Sequence, residues 1–508
     1  MEEKLINVGI FWAFPTKVDG VWDFCEAKKS YPKSSANALR FIEYPYTHYE
    51  KWDDVASSVE PHDCDYYPRG RVIYDTNLNR HLIFADECLD EFCLQDIAEL
   101  FGAENFILCR DEHYVSEFTK KHNAEKTAKQ SLSYNVLRGK DKIGETIIEI
   151  AYGANRILVE LGKSLEGGDE LFEHQLLKKH YSAVIISHYH EDHAGLIYRK
   201  YDCPVFVGEG AYRVLNAMSA YRCIELPKNI ETYRNAKSFK IGGIKITPFL
   251  CDHSAYDSYM LLFEAGGKSI LYTGDFRFHG RKDRDKLLSA LPEAVDILIH
   301  EGTNIGKNCE IISESELENK AVEIMKSMQG PVFVLQSSSN IDRLVSIYRA
   351  SRKSGRITYM DNYTSQIAIS AGGHIPRPDA FIDVIAFTPR PVYGQRRASF
   401  MEIQNKRRLD AIANGTKKFT MFVRQSMTNY LKKLISQAHI QGATLIYSIW
   451  KGYKELEYTA RFLEEMSALG MRIIDLHTSG HASEKDIELL KQRVKAKQTV
   501  CVHTENPV

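Results

Sequence analysis

The sequence predicts a layered α/β protein preceded by a small α+β module. From about residue 143 onward, short β-rich runs such as Ala183–Ser187 and Ser269–Thr273 alternate with helical stretches and glycine-containing turns. Of the 508 residues, 44% are hydrophobic and 26% are charged, as in ordinary globular proteins. A chain of this length is expected to form about three domains, each with its own hydrophobic core.

The composition argues against a membrane or secreted protein. No apolar run approaches the roughly 18–20 residues that a transmembrane helix needs. The N-terminus lacks the basic and then apolar pattern of a secretory signal. The 10 cysteines are scattered without a Cys-x-x-Cys pair, which is typical of reduced thiols, so we expect a cytoplasmic protein without a membrane partner.

Residues 1–118 are predicted to form the small α+β module. Arg71–Asp75 and His81–Ala85 alternate like the strands of a hairpin, and Leu94–Phe101 has helical spacing. The module holds 11 basic and 23 acidic side chains, a net charge of −12. One hypothesis is that it contacts a protein partner or the rest of the chain; an independent or dimerising domain is the alternative. Residues 119–142, polar and rich in lysine, are expected to be a linker.

The near-neutral total conceals a charge asymmetry. Lys and Arg number 66 against 67 Asp and Glu, but residues 119–508 carry a net charge of +11. Residues 390–433 hold 11 basic and 2 acidic side chains with aromatic residues between them. This pattern is expected of a groove that binds phosphates and stacks bases, so it favours a nucleic-acid partner. The alternative is a solvated helical face with ordinary core aromatic residues. The basic residues include Arg396 and Arg397, and the aromatic ones are Tyr393, Phe400, Phe419, Phe422 and Tyr430.

A dense cluster of metal-ligand residues follows the apolar strand Ala183–Ile186, in the pattern HxHxDH. Alternation at a strand end sends His188 and His190 the same way, so both can contact one ion. The turn into the next helix then returns Asp192 and His193 toward a second ion. Because imidazole and carboxylate are the ligands that Zn²⁺ and similar ions prefer, the motif predicts two metal sites.

Two later positions supply ligands that such a site still needs. His253 follows the strand Lys245–Phe249, and Asp275 follows the strand Ser269–Leu271. Both lie just past the C-terminal end of a strand, on the rim where sites form in sheets of this kind. A carboxylate such as that of Asp275 can bridge two ions.

On these residues the chain resembles the metallo-β-lactamase fold hydrolases, specifically their β-CASP branch, which includes ribonuclease J. Three further motifs carry the resemblance: an acidic motif at Glu301, the pattern HxSGHA at 477–482, and His503. The resemblance implies an αβ/βα sandwich interrupted by an inserted β-CASP α/β domain. Its first part would span 143–304, the inserted domain 305–470, and the completing part 471–508.

The resemblance also implies a site with two divalent metal ions, zinc in the first place and manganese as the alternative. The ligands of one ion would be His188, His190 and His253, and those of the other Asp192, His193 and His503, with Asp275 between them. Two such ions polarise a phosphoryl oxygen and lower the pKa of a shared water. His481 is then the expected general acid, Asp192 is expected to orient or deprotonate the water, and Glu301 is expected to orient a histidine.

Four further residues are candidates for binding the substrate. His477 and Ser479 face the same way as His481 if this segment is extended, so all three can point at one phosphate. Ser337 and Ser339 precede an apparent helix, where hydroxyls either bind a phosphate or simply cap the helix. Arg396 and Arg397 of the basic segment complete the set.

The leading hypothesis is therefore a dinuclear metal-dependent phosphodiesterase that hydrolyses nucleic acid, a ribonuclease acting on single-stranded RNA. One alternative keeps the metal site but acts on DNA, or on a small phosphodiester or ester. Another is a nucleic-acid-binding regulatory protein, although a complete ligand set argues against a degenerate site. The sequence leaves open whether cleavage is internal or from an end, and whether the protein is an oligomer.

Overall fold

The computed structural model divides the chain into two compact units, Met1–Gln130 and Ser131–Val508. In the second unit the structure describes residues 131–164, 172, 176, 179–307, 311–389, 403 and 406–506. In the first unit it describes the backbone of six strands.

The described strands of the first unit form one sheet. They are β1 (Ile6–Asn7), β2 (Ala13–Val18), β3 (Val21–Glu26), β4 (Arg69–Asp75), β5 (Arg80–Ala85) and β6 (Phe106–Cys109). Their order is β2-β3-β4-β5-β6, and β1 pairs with β4. The predicted hairpin is confirmed, because β4 and β5 pair antiparallel with Arg71 opposite Phe84. The helix predicted at Leu94–Phe101 lies outside the described residues.

The second unit begins with a six-stranded sheet, which we call the first core sheet. Its strands are β7 (Ser133–Arg138), β8 (Ile147–Tyr152), β9 (Asn155–Val159), β10 (Ala183–Ile186), β11 (Val205–Gly208) and β12 (Ile230–Tyr233). The order is β12-β11-β10-β9-β8-β7, parallel from β9 to β12 and antiparallel in the β7-β8-β9 portion. All four residues of β10 are buried, as a central parallel strand covered on both faces requires.

A second core sheet packs face to face on the first. Its strands are β13 (Phe239–Ile241), β14 (Ile244–Cys251), β15 (Ser258–Ala265), β16 (Lys268–Tyr272), β17 (Ile297–Glu301) and β25 (Gln498–Val502), in that order. Ile148 and Ile185 of the first core sheet share one buried cluster with Ile246 and Leu261 of the second. Apolar side chains alternate to both faces of each sheet, so the outer faces also need cover.

Helices supply that cover. Those beside the core sheets are α1 (Glu191–Ala194), α2 (Glu209–Arg222), α3 (Arg284–Ala290) and, near the C-terminus, α10 (Glu484–Val494). Val184 of β10 packs with Val214 of α2 on one outer face. Leu262 of β15 packs with Leu490 of α10 on the other. The result is the predicted αβ/βα sandwich.

The third sheet of this unit has seven strands, all parallel where they pair. They are β18 (Val332–Leu335), β19 (Ile357–Asp361), β20 (Val384–Phe387), β21 (Lys406–Arg407), β22 (Phe419–Val423), β23 (Thr444–Tyr447) and β24 (Arg472–Asp475), in the order β21-β20-β19-β22-β18-β23-β24. The chain enters this sheet after β17 and returns to the second core sheet at β25. The predicted fold class, a sandwich with an inserted α/β domain, is confirmed.

Helices cover both faces of the third sheet. They are α4 (Glu314–Ser327), α5 (Ile341–Lys353), α6 (Asn362–Ala371), α7 (Leu409–Ala413), α8 (Thr428–Ala438) and α9 (Glu457–Ala468), with short 3₁₀ turns at Gln425–Met427 and Lys451–Glu455. Phe333 of β18 packs with Leu431 of α8 on one face. Its neighbour Val334 packs with Leu344 of α5 on the other. Among the described residues, no helix is long and apolar enough to cross a membrane.

Two predicted boundaries differ from the structure. The expected linker, 119–142, contains β7, because Tyr134 pairs with Ile150 at the edge of the first core sheet. The expected start of the completing part, at 471, precedes β24, which pairs with β23 in the third sheet. Both strands are short and partly polar, as edge strands are, so their composition resembles that of loops.

Candidate metal centre and active site

The HxHxDH residues run from the turn after β10, which holds His188 and His190, into α1, which holds Asp192 and His193. Backbone hydrogen bonds hold this turn: Thr146 N–H donates to the Asp192 carbonyl at 3.0 Å, and Leu161 N–H donates to the His193 carbonyl at 2.7 Å. Gly162 is required here, because a Cβ atom at this position would lie 2.2 Å from the Asp192 carbonyl oxygen. The sequence therefore places its densest ligand motif on a rigid corner of the sandwich.

Three histidines form the first candidate ligand group, with one ring nitrogen of each within 4.8 Å of the others. They are His188, His190 and His253. His253 Nδ1–H donates to the Gly480 carbonyl at 2.7 Å, which leaves Nε2 facing His190 Nδ1 at 3.1 Å. Burial lowers the pKa of His188 and of His253 well below the ordinary value, so both rings stay neutral and able to act as ligands.

The second candidate ligand group contains Asp192, His193, Asp275 and His503, again within 4.8 Å of one another. His503 Nε2 lies 3.2 Å from Asp192 Oδ2, and His193 Nε2 lies 3.2 Å from Asp275 Oδ1. His503 arrives from β25, far along the chain. Thr303, two residues after the end of β17, orients the His503 ring through a 2.8 Å hydrogen bond between its Oγ1 and His503 Nδ1.

Asp275 joins the two groups. Besides its contact with His193, its Oδ2 lies 3.7 Å from His188 Nε2 and 3.8 Å from His253 Nε2. Gly274, at φ +53°, makes the turn that brings it there, and a Cβ atom on Gly274 would lie 2.8 Å from Ser187 Oγ. The sequence predicted a bridging position for Asp275, and the structure brings it between the two sets.

The donor atoms fit divalent metal ions. His188 Nε2, His193 Nε2 and both Asp275 carboxylate oxygens are buried without a hydrogen-bond partner among the described residues. Burial alone would raise the pKa of Asp275, but the charges of neighbouring histidines, His193 first, hold it well below the ordinary value. Burying polar nitrogen and oxygen atoms without a partner costs free energy unless a cation binds them. Imidazole and carboxylate are the ligands that zinc and similar ions prefer.

Glu160 was missed by the sequence reading. It follows β9 directly and is fully buried, with Oε2 accepting a hydrogen bond from Ser187 N–H at 3.1 Å. Its Oε1 lies 3.4 Å from His193 Nδ1. It therefore orients His193 in the way that carboxylates commonly orient metal-ligating histidines. The sequence does contain a signal for Glu160. It is a carboxylate just past the end of an apolar strand, which is the pattern that predicted Asp275.

His481 lies beside the second ligand group and is held by Glu301. Glu301 Oε2 is 3.0 Å from His481 Nδ1, and its Oε1 accepts hydrogen bonds from Phe276 N–H and Ala482 N–H at 2.9 and 3.2 Å. Burial lowers the pKa of His481, but the carboxylates of Glu301 and Asp275 outweigh it and raise the pKa to about 9. The side chain is 23% exposed, so it can still reach a bound molecule.

The other candidate substrate residues have different surroundings. Ser479 Oγ accepts hydrogen bonds from Asn304 Nδ2 and His481 N–H, both at 3.1 Å. His477 Nδ1 lies 3.4 Å from the Ser448 carbonyl oxygen, and burial lowers its pKa to about 4. Ser479, His477 and His481 therefore each have a hydrogen-bond contact within the protein.

The serine loop before α5 is close to the HxHxDH turn. Ser337 Oγ lies 2.8 Å from Ser339 Oγ, and the Tyr189 hydroxyl donates to the Ser339 carbonyl at 2.7 Å. Asn340 caps α5, its side chain accepting from Arg343 N–H at 3.0 Å. Capping thus falls to Asn340, which leaves the two serine hydroxyls bonded to each other.

Two expectations about the basic segment have different outcomes. Arg396 and Arg397 lie outside the described residues. The aromatic residues Phe419, Phe422 and Tyr430 are buried in the core of the inserted domain, so the expectation that they stack bases is wrong. They lie on β22 and α8, where helix and strand periodicity put them on inward faces.

A buried charge network behind the site was also missed. Arg277 Nη1 donates to the Ser479 carbonyl at 2.9 Å, and Arg343 Nη2 donates to the Thr478 carbonyl at 3.1 Å. Both guanidinium groups reach Glu314 Oε1, at 3.3 and 3.0 Å. The network fixes the backbone of the His481 motif, and its members come from three separate elements, so no local pattern reveals it.

Comparisons with known proteins agree with this geometry. Residues 155–336 match the family model described as "Beta-lactamase superfamily domain". The chain is 22% identical over 397 residues to ribonuclease J of Mycoplasma genitalium, covering 72% of this chain and 67% of that one. It is 24% identical over 403 residues to ribonuclease J of Mycobacterium tuberculosis, covering 73% and 68%.

A solved structure supports the fold. A protein of unknown function from Enterococcus faecalis V583 matches with a TM-score of 0.62 and 19% identity, covering 74% of this chain and 95% of that one. Fold, site and matches together define a hydrolytic enzyme of the metallo-β-lactamase fold. Within that class, the chain resembles the ribonuclease J proteins of the β-CASP branch over 72–73% of its length.

Proposed function

We propose that this protein is a ribonuclease that uses two divalent metal ions to hydrolyse phosphodiester bonds in single-stranded RNA. The observation that carries the proposal is the convergence of two ligand groups on the Asp275 carboxylate. The relatives named ribonuclease J support RNA as the substrate.

The ligand roles follow from the two groups. When bound, two divalent ions supply the positive charge that polarises a scissile phosphate and activates an attacking water. The proposed ligands are His188, His190 and His253 for one ion and Asp192, His193 and His503 for the other, with Asp275 shared. The imidazole-rich first group favours zinc, with manganese as the alternative. Asp192, 20% exposed at its side chain, is the carboxylate placed to orient the water or to take its proton.

His481 is the proposed general acid. Glu301 holds Nδ1 of the ring at 3.0 Å, so Nε2 is left to give a proton to the departing oxygen. Glu301 itself is held in place by hydrogen bonds from two backbone N–H groups. We therefore assign His481 to proton transfer and Glu301 to positioning it.

Substrate phosphates are proposed to bind at the serine loop and along the basic segment 390–433 of the inserted domain. Ser337 and Ser339 carry hydroxyls in the loop before α5, and His477 and Ser479 belong to the same HxSGHA motif as His481. The described basic residues of the segment 390–433 are largely exposed, as phosphate contacts must be: Lys406, Arg407, Arg408, Lys417, Lys418, Lys432 and Lys433. Arg396 and Arg397 belong to the same proposal.

The deciding experiment incubates the purified chain with end-labelled single-stranded RNA and matched DNA, in Zn²⁺, Mn²⁺ or chelator. We expect metal-dependent cleavage of RNA, strongly reduced in Asp192→Ala and His481→Ala. Cleavage in chelator, or full activity in Asp192→Ala, would contradict the mechanism. Preference for DNA would favour the DNA nuclease alternative, and binding without cleavage would favour a regulatory protein. RNA with and without a 5′ phosphate separates end-dependent from internal cleavage.

The acidic N-terminal module is proposed to compete with RNA for the basic segment 390–433 or to recruit a protein partner. Removing residues 1–118, with their net charge of −12, should then raise RNA affinity at low salt and steepen its salt dependence. An unchanged dependence of RNA affinity on salt would contradict competition.

We also propose that the protein is cytoplasmic. The free thiols of Cys203, Cys223, Cys251 and Cys501 support this.

A further inference from the structure

Two exposed aromatic side chains lie in the segment that joins β23 to α9. Trp450 is 54% exposed and Tyr453 is 41% exposed. Their ring centroids are 5.4 Å apart, with the planes at 88°. Among the described residues, the exposed Trp, Tyr and Phe side chains are Trp450, Tyr453 and Tyr458, which all lie in this part of the chain. This concentration contrasts with the buried aromatic residues of β22 and α8.

The pair is held in place by its own backbone. The Tyr447 hydroxyl donates to the Trp450 carbonyl at 3.0 Å, and Tyr453 N–H donates to the same oxygen at 3.1 Å. Gly452 lets the indole lie against the chain, because a Cβ atom there would be 2.3 Å from Cη2 of Trp450. The backbone at Trp450 is therefore held by two hydrogen bonds, and the indole packs against Gly452 with much of its surface open.

The segment lies beside the catalytic residues. It begins at Ser448, whose hydroxyl donates to the Leu476 carbonyl at 2.6 Å and whose carbonyl lies 3.4 Å from His477 Nδ1. Trp450 follows Ser448 by two residues, so a molecule seated on the aromatic pair would lie beside His477 of the HxSGHA motif.

We propose that Trp450 and Tyr453 form a base-binding subsite, in which a nucleobase next to the scissile phosphate stacks on the indole. The inference rests on the proposed function and names how the substrate is gripped. Aromatic side chains stack every base on its π-face, so such a subsite strengthens binding without choosing a sequence. Lys451, which is exposed and follows Trp450 in the chain, supplies a positive charge for the adjoining backbone phosphate.

The test measures binding rather than cleavage. The metal-loaded full chain carrying His481→Ala is titrated with a labelled single-stranded oligoadenylate of about ten nucleotides, and with an abasic oligonucleotide of equal length and charge. The ratio of the two dissociation constants reports base contacts alone. Trp450→Ala, Trp450→Phe and Gly452→Ala are compared in this background. Gly452→Ala keeps both aromatic side chains but displaces the far edge of the indole.

Ile382→Ala is the matched control. Ile382 is 95% exposed and precedes β20, at the edge of the parallel third sheet opposite to the edge where β23 ends. We expect the oligoadenylate to bind roughly tenfold or more tightly than the abasic oligonucleotide in the background chain and in Ile382→Ala. Trp450→Ala and Gly452→Ala should remove most of that preference, and Trp450→Phe should retain much of it.

Contrary outcomes are separable from failure of the proposed function. An unchanged base preference in Trp450→Ala would overturn the subsite even if the wild-type chain cleaves RNA. So would a shift from dimer to monomer in Trp450→Ala with unaltered RNA affinity, which would assign the pair to a contact between copies. If the base preference depends on Trp450 but the wild-type chain cleaves no RNA, the subsite is supported and the proposed ribonuclease activity is refuted.

Discussion

The Asp275 carboxylate is the residue-scale feature on which the site depends most. It is 1% exposed, and its oxygens lie within 4.0 Å of five histidine rings while no hydrogen bond satisfies them among the described residues. No other proposed ligand contacts members of both groups through the two oxygens of one carboxylate. Its negative charge therefore decides whether two cations can be held close together.

Asp275→Asn is expected to remove bound metal and activity together, because a neutral amide of the same shape cannot offset two positive ions. Loss of a ligand should cost at least as much as loss of an orienting residue, roughly 100-fold in activity. Elemental analysis of the purified variant, beside RNA cleavage, checks this. Asp202→Asn, at an exposed position, is the control. A variant that retains two ions per chain would contradict the shared role.

Glu301→Gln tests positioning at the same scale. The amide keeps the shape but weakens the contact with His481 Nδ1, so kcat should fall roughly 10–100-fold while the metal content stays unchanged. The pH–rate profile should shift as well, because the carboxylate that favours protonated His481 is lost. Glu293→Gln, which is exposed, serves as the control. Loss of metal in Glu301→Gln would instead make Glu301 a ligand.

At the scale of elements, the start of α4 connects the inserted domain to the His481 motif. Ser313 and Glu316 form a capping box, and Glu314 of the same first turn points inward to Arg277 and Arg343. Burial raises the pKa of Glu314, but the two guanidinium groups outweigh it and hold the pKa far below the ordinary value. A helix end, a core loop and a second helix thus meet at one carboxylate.

Glu314→Gln is expected to destabilise the protein by about 3 kcal/mol, because it leaves two buried arginines short of a counter-charge. Urea unfolding followed by circular dichroism measures the change. Glu323→Gln, exposed on the same helix, is the control and should differ little from the wild type. A loss equal to that of the control would show that the network contributes nothing.

The same carboxylate predicts a pH dependence. Because its pKa is depressed in the folded chain, Glu314 stabilises the protein fully above the ordinary glutamate pKa, about 4.3, and that contribution is lost as the pH falls below it. Wild type should therefore lose more stability than Glu314→Gln between about pH 5 and pH 3. Parallel curves for the two proteins would contradict a depressed pKa.

At the scale of the whole molecule, metal binding and folding are expected to be coupled. The proposed ligands come from the turn after β10, the ends of β14 and β16, and the chain beyond β25, so a bound cation ties both core sheets together. Anything that binds only the folded state raises its stability according to ligand concentration.

Chelation should therefore lower the Tm of the full chain and abolish cleavage, and added Zn²⁺ or Mn²⁺ should restore both. Differential scanning calorimetry with a metal titration measures the effect. Asp275→Asn is the matched control, since its Tm should barely respond to chelator. A wild-type Tm that ignores chelator would contradict coupling between the metal centre and the two sheets.

Much of the candidate site was predictable from local sequence, because strand ends place side chains by rule. An apolar run followed by HxHxDH, and later strands followed by His253 and Asp275, needed only alternation and the rim of a sheet. Glu160 obeyed the same rule and was overlooked. The buried network of Arg277, Arg343 and Glu314 follows no local pattern. Glu314 lies 37 positions from Arg277 and 29 from Arg343, and the three residues belong to different elements.

The sequence by itself determined the α/β layers, the ligand types and the charge of the basic segment, since periodicity and composition are local properties. Only the tertiary structure decided which side chains meet: that Asp275 lies between two histidine groups, and that Phe419 and Phe422 are buried. It likewise showed that Trp450 and Tyr453 are exposed aromatic side chains in edge-to-face contact. The physical reason is that burial and pairing depend on how separate elements pack, which spacing along one element does not encode.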